Sequence, residues 1–151
     1  MVLKRTHMCG VLRSSDIDKE VVLNGWIAKK RNLGGLIFCD LRDKTGIIQI
    51  VFNDTVSDML HHQADSLRSE YVVGIKGIVK ERQSKNKELA TGEIEIFVSE
   101  LIIYSEADTP PIYIKDDDNV DDNLRLKYRY LDLRKQKMQR NLTFRHKVAK
   151  T

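Results

Sequence analysis

Phe38 and Gln49 are two side chains whose types suit the recognition of a nucleobase. Both belong to short segments in which apolar and other residues alternate, as in a half-buried strand. An aromatic ring stacks on a base for about 1–3 kcal/mol, and an amide reads a base edge. The cations just before them, Lys29–Arg31, suit phosphates. The combination indicates a surface for single-stranded nucleic acid, and the alternative is that Phe38 only covers its neighbours on a two-sided sheet.

The alternation places both side chains on an outer face. In the segment 36–42, Phe38 alternates with an expected buried set, which is Ile37, Cys39 and Leu41. In the segment 47–52, Gln49 alternates with a second expected buried set, which is Ile48, Ile50 and Phe52. We therefore expect Phe38 and Gln49 on the solvent side of two adjacent strands. A basic turn that contains Lys29–Arg31 is expected beside them, and Asn32–Gly35 is expected to close the hairpin into the second strand.

The hydrophobic period divides the first hundred residues into three strands, a helix and two further strands. We predict the strands at 19–28, 36–42, 47–52, 71–82 and 93–104, and the helix over 56–71 with Thr55 as its N-cap. This order is that of an OB-fold, a five-stranded Greek-key barrel whose strands 2 and 3 often bind oligonucleotides or oligosaccharides. The predicted fold is therefore all-β with one helix, and Phe38 and Gln49 lie on its usual binding face.

The fifth predicted strand and the loop before it supply further candidates. Glu95 alternates with three apolar residues and so faces outward, together with Phe97. Its carboxylate could accept hydrogen bonds from a guanine edge or could simply be solvated. Arg82 and Asn86 follow strand four, in the loop that borders the second edge of an OB-fold groove.

The composition is that of a soluble globular protein. Of the 151 residues, 41% are hydrophobic and 32% are charged, and no apolar run is long enough to span a bilayer. The chain does not open on a secretory signal, so we expect a cytoplasmic protein without a membrane partner. Its two cysteines lie thirty positions apart, and its four histidines lack metal-ligand spacing, so we expect no metal.

The positive charge is concentrated at the end of the chain. Residues 124–151 hold ten Lys or Arg against one acid, a net charge of +9, whereas residues 1–123 carry −5. The overall excess of +4 is therefore weak support for nucleic-acid binding by the barrel. Two prolines and an acidic run separate the two parts. We predict a barrel domain over 1–108, an acidic linker over 109–123, and a helical segment over 124–151 that begins another domain.

Five motifs in order along the chain resemble bacterial-type aspartyl-tRNA synthetase, a class II enzyme. They are Thr6–Gly10, Gly25–Ile27, Arg31–Asp43, Ala90–Glu95 and Leu126–Arg134. The resemblance implies an N-terminal anticodon-binding domain, a hinge, and the first helix of a catalytic domain. It implies a homodimeric parent enzyme that uses ATP and magnesium to activate aspartate and transfers it to tRNA(Asp). The catalytic motifs are absent from this chain, so the resemblance implies that the chain alone needs no cofactor and is inactive.

The resemblance also implies roles for single residues. Phe38 would stack on the middle anticodon base, and Gln49 would read an anticodon base. The other implied anticodon-binding residues are Arg31, Arg82, Asn86 and Glu95. The family often has arginines where this chain has Lys29 and Lys30. A lysine keeps the charge but loses the bidentate fork, so among residues 29–31 only Arg31 is expected to recognise a base.

Three alternatives stay open at this stage. A generic module for single-stranded nucleic acid would use the same face, although only Phe38 stands out as an aromatic on strands 2 and 3. An OB-fold that binds protein or sugar would have an affinity that salt hardly changes. The asparaginyl- and lysyl-tRNA synthetases share this barrel, and the sequence leaves open whether tRNA(Asn) is also charged. No DNA partner is expected.

Overall fold

A closed five-stranded barrel forms the first part of the protein. The structure, a computed structural model, describes residues 2–53, 57–116 and 119–150. Internal contacts divide the chain into two units, residues 1–108 and 109–151. The strands run in the spatial order β1-β2-β3-β5-β4 around the barrel. They are β1 (Glu20–Leu33), β2 (Leu36–Arg42), β3 (Ile47–Phe52), β4 (Val72–Glu81) and β5 (Ile94–Ser105).

The pairing confirms the predicted OB-fold. β1 is antiparallel to both β2 and β4, and β5 is antiparallel to β4. A parallel pairing of β3 with β5 closes the ring, and it begins where Gln49 lies opposite Glu95. The parallel pair follows from the other pairings, since β4 runs opposite to β3 and β5 runs opposite to β4.

The predicted basic turn at Lys29–Arg31 is wrong. These residues extend β1 and pair with β2, so that Lys30 lies opposite Cys39 and Arg31 lies opposite Phe38. The turn itself is confined to Gly34 and Gly35, whose φ angles of 60° and 88° are open to glycine. Because the turn is so short, the cations are held on the sheet.

The core lies inside the barrel, where the predicted alternation is confirmed. The inward side chains of β2 and β3 are buried, and they are Ile37, Cys39, Leu41, Ile48, Ile50 and Phe52. On β5 the expected buried set of Ile94, Ile96 and Val98 is buried as well. Both cysteines belong to this core as free thiols, and burial raises the pKa of Cys39 to about 12.

The predicted helix is present but shorter than expected. Helix α1 spans Asp58–Ser66 rather than 56–71, and Ser57 is its N-cap, accepting a hydrogen bond from the Leu60 N–H. The predicted cap Thr55 lies outside the described residues. After the helix the chain turns through Glu70, at φ 68°, and the Glu70 N–H donates to the Ile27 carbonyl. The helix itself ends at Leu67, whose backbone is extended, and Tyr71 beyond it still packs into the core.

A side-chain latch fastens the N-terminal segment to the barrel. Asp43, at the β2–β3 turn, accepts hydrogen bonds from the Cys9 N–H (2.7 Å) and from the N–H (2.7 Å) and hydroxyl (2.6 Å) of Thr45. Burial opposes ionisation of Asp43, but these bonds outweigh it and hold its pKa below its usual value. The segment itself forms two short 3₁₀ turns, Cys9–Val11 and Ser14–Asp16.

The second unit, residues 109–151, is helical. Its helices are α2 (Asp122–Lys127), α3 (Arg129–Asp132) and α4 (Gln136–Lys150), so the predicted helical segment is present. Asp132 is buried and forms ion pairs with Arg125 (3.1 Å) and Lys135 (3.3 Å). Helix α4 has no buried residue. No helix in the described part of the chain is long and apolar enough to cross a membrane.

Candidate nucleic-acid interface

A groove of about 260 Å³ lies on the outer face of the barrel, across β2, β3 and β5. It contains four of the six predicted site residues, namely Phe38, Gln49, Arg82 and Glu95. The remaining lining residues are Leu33, Leu36, Val51, Gln83, Ser84 and Phe97. The strand pairing explains this composition, because residues directly opposite each other on neighbouring strands share a face. Two such rows cross the groove.

The first row is apolar. Phe38 of β2 lies opposite Val51 of β3, and Val51 lies opposite Phe97 of β5. Val51 is only 2% exposed, whereas the two phenylalanines are half-buried and leave part of each ring at the surface. The row therefore exposes part of a ring at each end, and the buried Val51 lies between the two rings. Partly exposed rings of this kind suit stacking with a base.

The second row is polar. Asp40 of β2 lies opposite Gln49 of β3, and Gln49 lies opposite Glu95 of β5. The Gln49 amide nitrogen donates a 2.7 Å hydrogen bond to Glu95, and the Gln49 amide oxygen accepts a 3.2 Å bond from Arg31. The same guanidinium nitrogen pairs with Asp40 at 3.2 Å. These bonds hold the Gln49 amide in one orientation.

Gln49 and Glu95 were expected to be solvent-exposed, and on this point the prediction is wrong. Both lie on the predicted outer face, yet Gln49 is only 4% exposed and Glu95 only 6%. Their mutual hydrogen bond draws the two side chains together over the β3–β5 pairing, and the neighbouring Arg82 adds its charge. Burial raises the pKa of Glu95, and the Gln49 hydrogen bond and the Arg82 charge only partly offset that rise.

Arg31 joins the polar row from the end of β1. It does not line the groove directly but contacts Gln49, which does. Within the described part of the chain, its Nε atom is the single buried side-chain nitrogen or oxygen without a hydrogen-bond partner. A buried donor of this kind costs stability unless something pairs with it. Lys30, by contrast, reaches α1, where it donates to the Asp65 carbonyl and thereby serves the fold.

Asn86 is the second predicted residue, after Arg31, that lies outside the groove lining. It sits in the loop between β4 and β5, where its side-chain oxygen accepts a hydrogen bond from the Glu88 N–H and its backbone pairs with Gly92. A Cβ at Gly92 would lie 1.8 Å from the Asn86 carbonyl oxygen, so this close approach needs glycine. Asn86 therefore shapes the loop that carries Arg82.

Sequence reasoning overlooked Phe97 as a groove residue, although its alternation with Ile96 and Val98 had placed it outward. Leu33, Gln83 and Ser84 gave no periodic signal, because they lie at strand ends and in a loop. Among residues 2–53, 57–116 and 119–150, no cluster of three or more His, Cys, Asp or Glu side chains could hold a metal ion.

Comparison with known proteins agrees with this geometry. The family model described as OB-fold nucleic acid binding domain matches residues 21–104. The aspartate–tRNA(Asp/Asn) ligase of Thermoanaerobacter pseudethanolicus is 51% identical over 98% of this chain and 25% of its own length. The aspartate–tRNA ligase of Ruminiclostridium cellulolyticum is 52% identical, with the same two coverages. This chain thus spans about a quarter of the length of these curated relatives.

Solved structures agree as well. The asparaginyl-tRNA synthetase of Pyrococcus horikoshii has a TM-score of 0.73 and 27% identity, covering 88% of this chain and 30% of that one. The aspartyl-tRNA synthetase of Entamoeba histolytica has a TM-score of 0.78 over 90% of this chain and 33% of that one, and its 22% identity supports the fold alone. The resemblance to bacterial aspartyl-tRNA synthetases is confirmed, and the chain belongs to the family of OB-fold nucleic acid binding domains.

Proposed function

We propose that the groove binds the anticodon loop of tRNA(Asp). The observation that carries the proposal is the presence, in one groove, of the half-buried ring of Phe38 and the hydrogen-bonding groups of Gln49, Glu95 and Arg82. A loop base that stacks on Phe38 would bring its edge beside the polar row. Recognition of splayed-out loop bases by stacking and edge hydrogen bonds is the common mode for sequence-specific RNA binding.

In this proposal Phe38 stacks on the middle anticodon base, and Gln49 and Glu95 read base edges. Gln49 is already oriented by Glu95 and Arg31, so little side-chain freedom is lost when the RNA binds. Arg31 contacts Gln49 from the end of β1, and in this proposal its guanidinium is a further donor for a base. Each of these groups favours one arrangement of donors and acceptors, which supports selectivity rather than general affinity.

The loop between β4 and β5 would approach the RNA from the other side of the groove. Arg82 brings a permanent charge to the lining, which suits a phosphate or a guanine edge. Asn86 uses its amide oxygen within the loop, and its amide nitrogen would donate to the RNA. We expect both residues to act together, since the same loop carries them.

For the whole protein we propose the activity that its relatives' names state, the ligation of aspartate to tRNA. Residues 124–151 would then begin the catalytic domain after the linker at 109–123. The whole enzyme would use ATP and magnesium, act as a homodimer and work in the cytoplasm. The 151-residue chain alone would bind tRNA and form no aminoacyl-adenylate.

A salt-controlled titration tests the anticodon proposal. The chain is titrated with an aspartate-type anticodon stem-loop and with the same stem-loop carrying a changed middle base, at several salt concentrations. We expect clearly tighter binding of the native loop, and affinity for both loops that falls with added salt. Equal binding of the two loops would instead favour the generic single-stranded module. Binding that is insensitive to salt would favour a protein or sugar ligand.

A second candidate function is recognition of both aspartate and asparagine tRNAs. It is favoured by the relative named for tRNA(Asp/Asn), which is 51% identical to this chain, although a relative named for aspartate alone is 52% identical. An asparagine-type stem-loop added to the same titration separates the two candidates. Comparable affinity for both loops indicates dual recognition by the barrel, and a clear preference for the aspartate loop excludes it.

A further inference from the structure

Phe97 is an aromatic groove residue that the proposed anticodon roles leave unused. It lies on β5 between Ile96 and Val98, both buried in the barrel, so its own side chain faces outward. It lines the groove and remains half-buried. The ring therefore faces outward as predicted, and it lies in the same groove as the polar residues.

The strand pairing determines how Phe97 relates to Phe38. Val51 separates them in the apolar row, one strand from each. Two strand spacings place the two residues roughly 10 Å apart. That is too far for a direct aromatic pair, whose ring centres lie about 4.5–7 Å apart. Among the described residues, the one aromatic pair is Tyr128 with Tyr130, so neither phenylalanine ring is covered by another ring.

Each ring therefore has its own polar neighbours. Phe38 is two positions from Asp40 on β2, and Phe97 is two positions from Glu95 on β5, in both cases on the same face. The loop residues Gln83 and Ser84 also line the groove. A base on either ring would thus find hydrogen-bonding groups for its edge. A single base cannot cover both rings at this separation.

We propose that Phe97 is a second stacking surface, so that the groove holds two separate bases of a single-stranded RNA loop, one on Phe38 and one on Phe97. This inference rests on the proposed anticodon binding and extends it. The covered Val51 between the rings forms the floor that separates the two bases. Base–aromatic stacking tolerates any base, so the second position adds affinity and the polar row supplies the choice of base.

The test removes the ring and keeps the apolar volume. Phe97→Leu and Phe38→Leu are titrated with the native stem-loop and with stem-loops that carry one abasic nucleotide at each loop position in turn. We expect Phe97→Leu to weaken binding of the native loop about fivefold or more. With one of the abasic stem-loops, Phe97→Leu should bind as tightly as the wild type, because the base that stacks on Phe97 is already missing. Phe38→Leu should show the same loss of effect at a different abasic position.

Two variants serve as matched controls. Phe97→Tyr keeps a stacking ring and should bind the native loop within about twofold of the wild type. Ile78→Ala truncates the apolar neighbour of Phe97 on β4, outside the groove lining, and should also leave binding unchanged. Thermal unfolding of each variant checks the fold, and Phe97→Ile replaces Phe97→Leu should the latter unfold early.

The outcomes separate this inference from the function on which it rests. If the native loop is preferred and Phe38→Leu weakens binding while Phe97→Leu does not, the second stacking surface is overturned and the anticodon proposal stands. If both variants couple to the same abasic position, the groove holds one base and the inference also falls. If the wild type does not distinguish the two loops and neither variant matters, both proposals fail.

Discussion

Two carboxylates of the barrel are buried to nearly the same degree but have opposite environments. Asp43, at the β2–β3 turn, is 8% exposed, and Glu95, in the groove, is 6% exposed. Asp43 accepts three hydrogen bonds from Cys9 and Thr45, and its pKa is lowered. Glu95 accepts one side-chain hydrogen bond among the described residues, from Gln49, and its pKa is raised.

Under the proposed function, the difference separates a carboxylate that serves the fold from one that is available to a ligand. A buried carboxylate with several donors is stabilised in its charged form, so Asp43 needs no ligand to satisfy its oxygens. The groove instead leaves Glu95 with unused acceptor capacity and Arg31 with a buried, unpaired Nε atom. Incomplete pairing of this kind costs stability, and a bound base that supplied the missing partners would recover that cost.

The largest expected effect is at the turn. Asp43→Ala removes three hydrogen bonds and leaves the Cys9 N–H without an acceptor, so the free energy of unfolding should fall by about 3 kcal/mol. Urea denaturation followed by circular dichroism measures the change. Glu88→Ala, which truncates an exposed loop carboxylate, is the control and should change the free energy by less than about 0.5 kcal/mol. If Asp43→Ala lowered the free energy of unfolding as little as the control does, Asp43 would not fasten the N-terminal segment to the barrel.

The next effect is on binding rather than stability. Phe38→Ala should weaken binding of the aspartate-type anticodon stem-loop by about 1–3 kcal/mol, because one stacking ring is lost. The titration is made at fixed salt, and a urea denaturation curve checks that the variant is folded. An unchanged affinity in a folded variant would mean that Phe38 only covers the sheet.

The third prediction concerns pH and separates the two carboxylates directly. Because the pKa of Glu95 is raised on folding, the contribution of Glu95 to stability should decrease as pH rises from the usual glutamate range through the raised value. Glu95→Gln removes this loss, so its stability relative to the wild type should increase with pH. Urea denaturation between about pH 4 and pH 7, a range that extends upward from near the usual glutamate value, measures it.

Asp43 should behave in the opposite way. Its pKa is lowered on folding, so the stability it contributes is present above the usual aspartate pKa and is lost as pH falls through the lowered value. The penalty of Asp43→Ala should therefore shrink in acid. A parallel pH dependence for the two variants would contradict the contrast drawn between the turn and the groove.

The smallest expected effect is at Asp40, whose ion pair orients Arg31 beside Gln49. Both partners are partly exposed, so Asp40→Asn should weaken stem-loop binding by only about 0.5 kcal/mol, roughly twofold. In an Arg31→Ala background the same change should have no further effect. An equal effect in both backgrounds would show that Asp40 acts independently of Arg31.

The sequence by itself determined the barrel and its two faces. Period-two alternation identified the inward residues of β2, β3 and β5, because each strand must bury one face to form the core. The order of the strands and the helix then indicated the OB-fold, and its binding face included Phe38 and Gln49. The predicted end of the helix was wrong, since Tyr71 packs in the core whether or not the helix reaches it.

Only the tertiary structure decided how the outer-face groups are connected. Alternation assigns a side chain to a face, but it carries no information on which strands become neighbours or on what covers a residue. The parallel β3–β5 pairing buried Gln49 and Glu95 against each other, and the extended β1 brought Arg31 to them. The same pairing aligned Phe97 with Phe38 across Val51. Contacts between residues so distant in sequence arise only when the barrel closes.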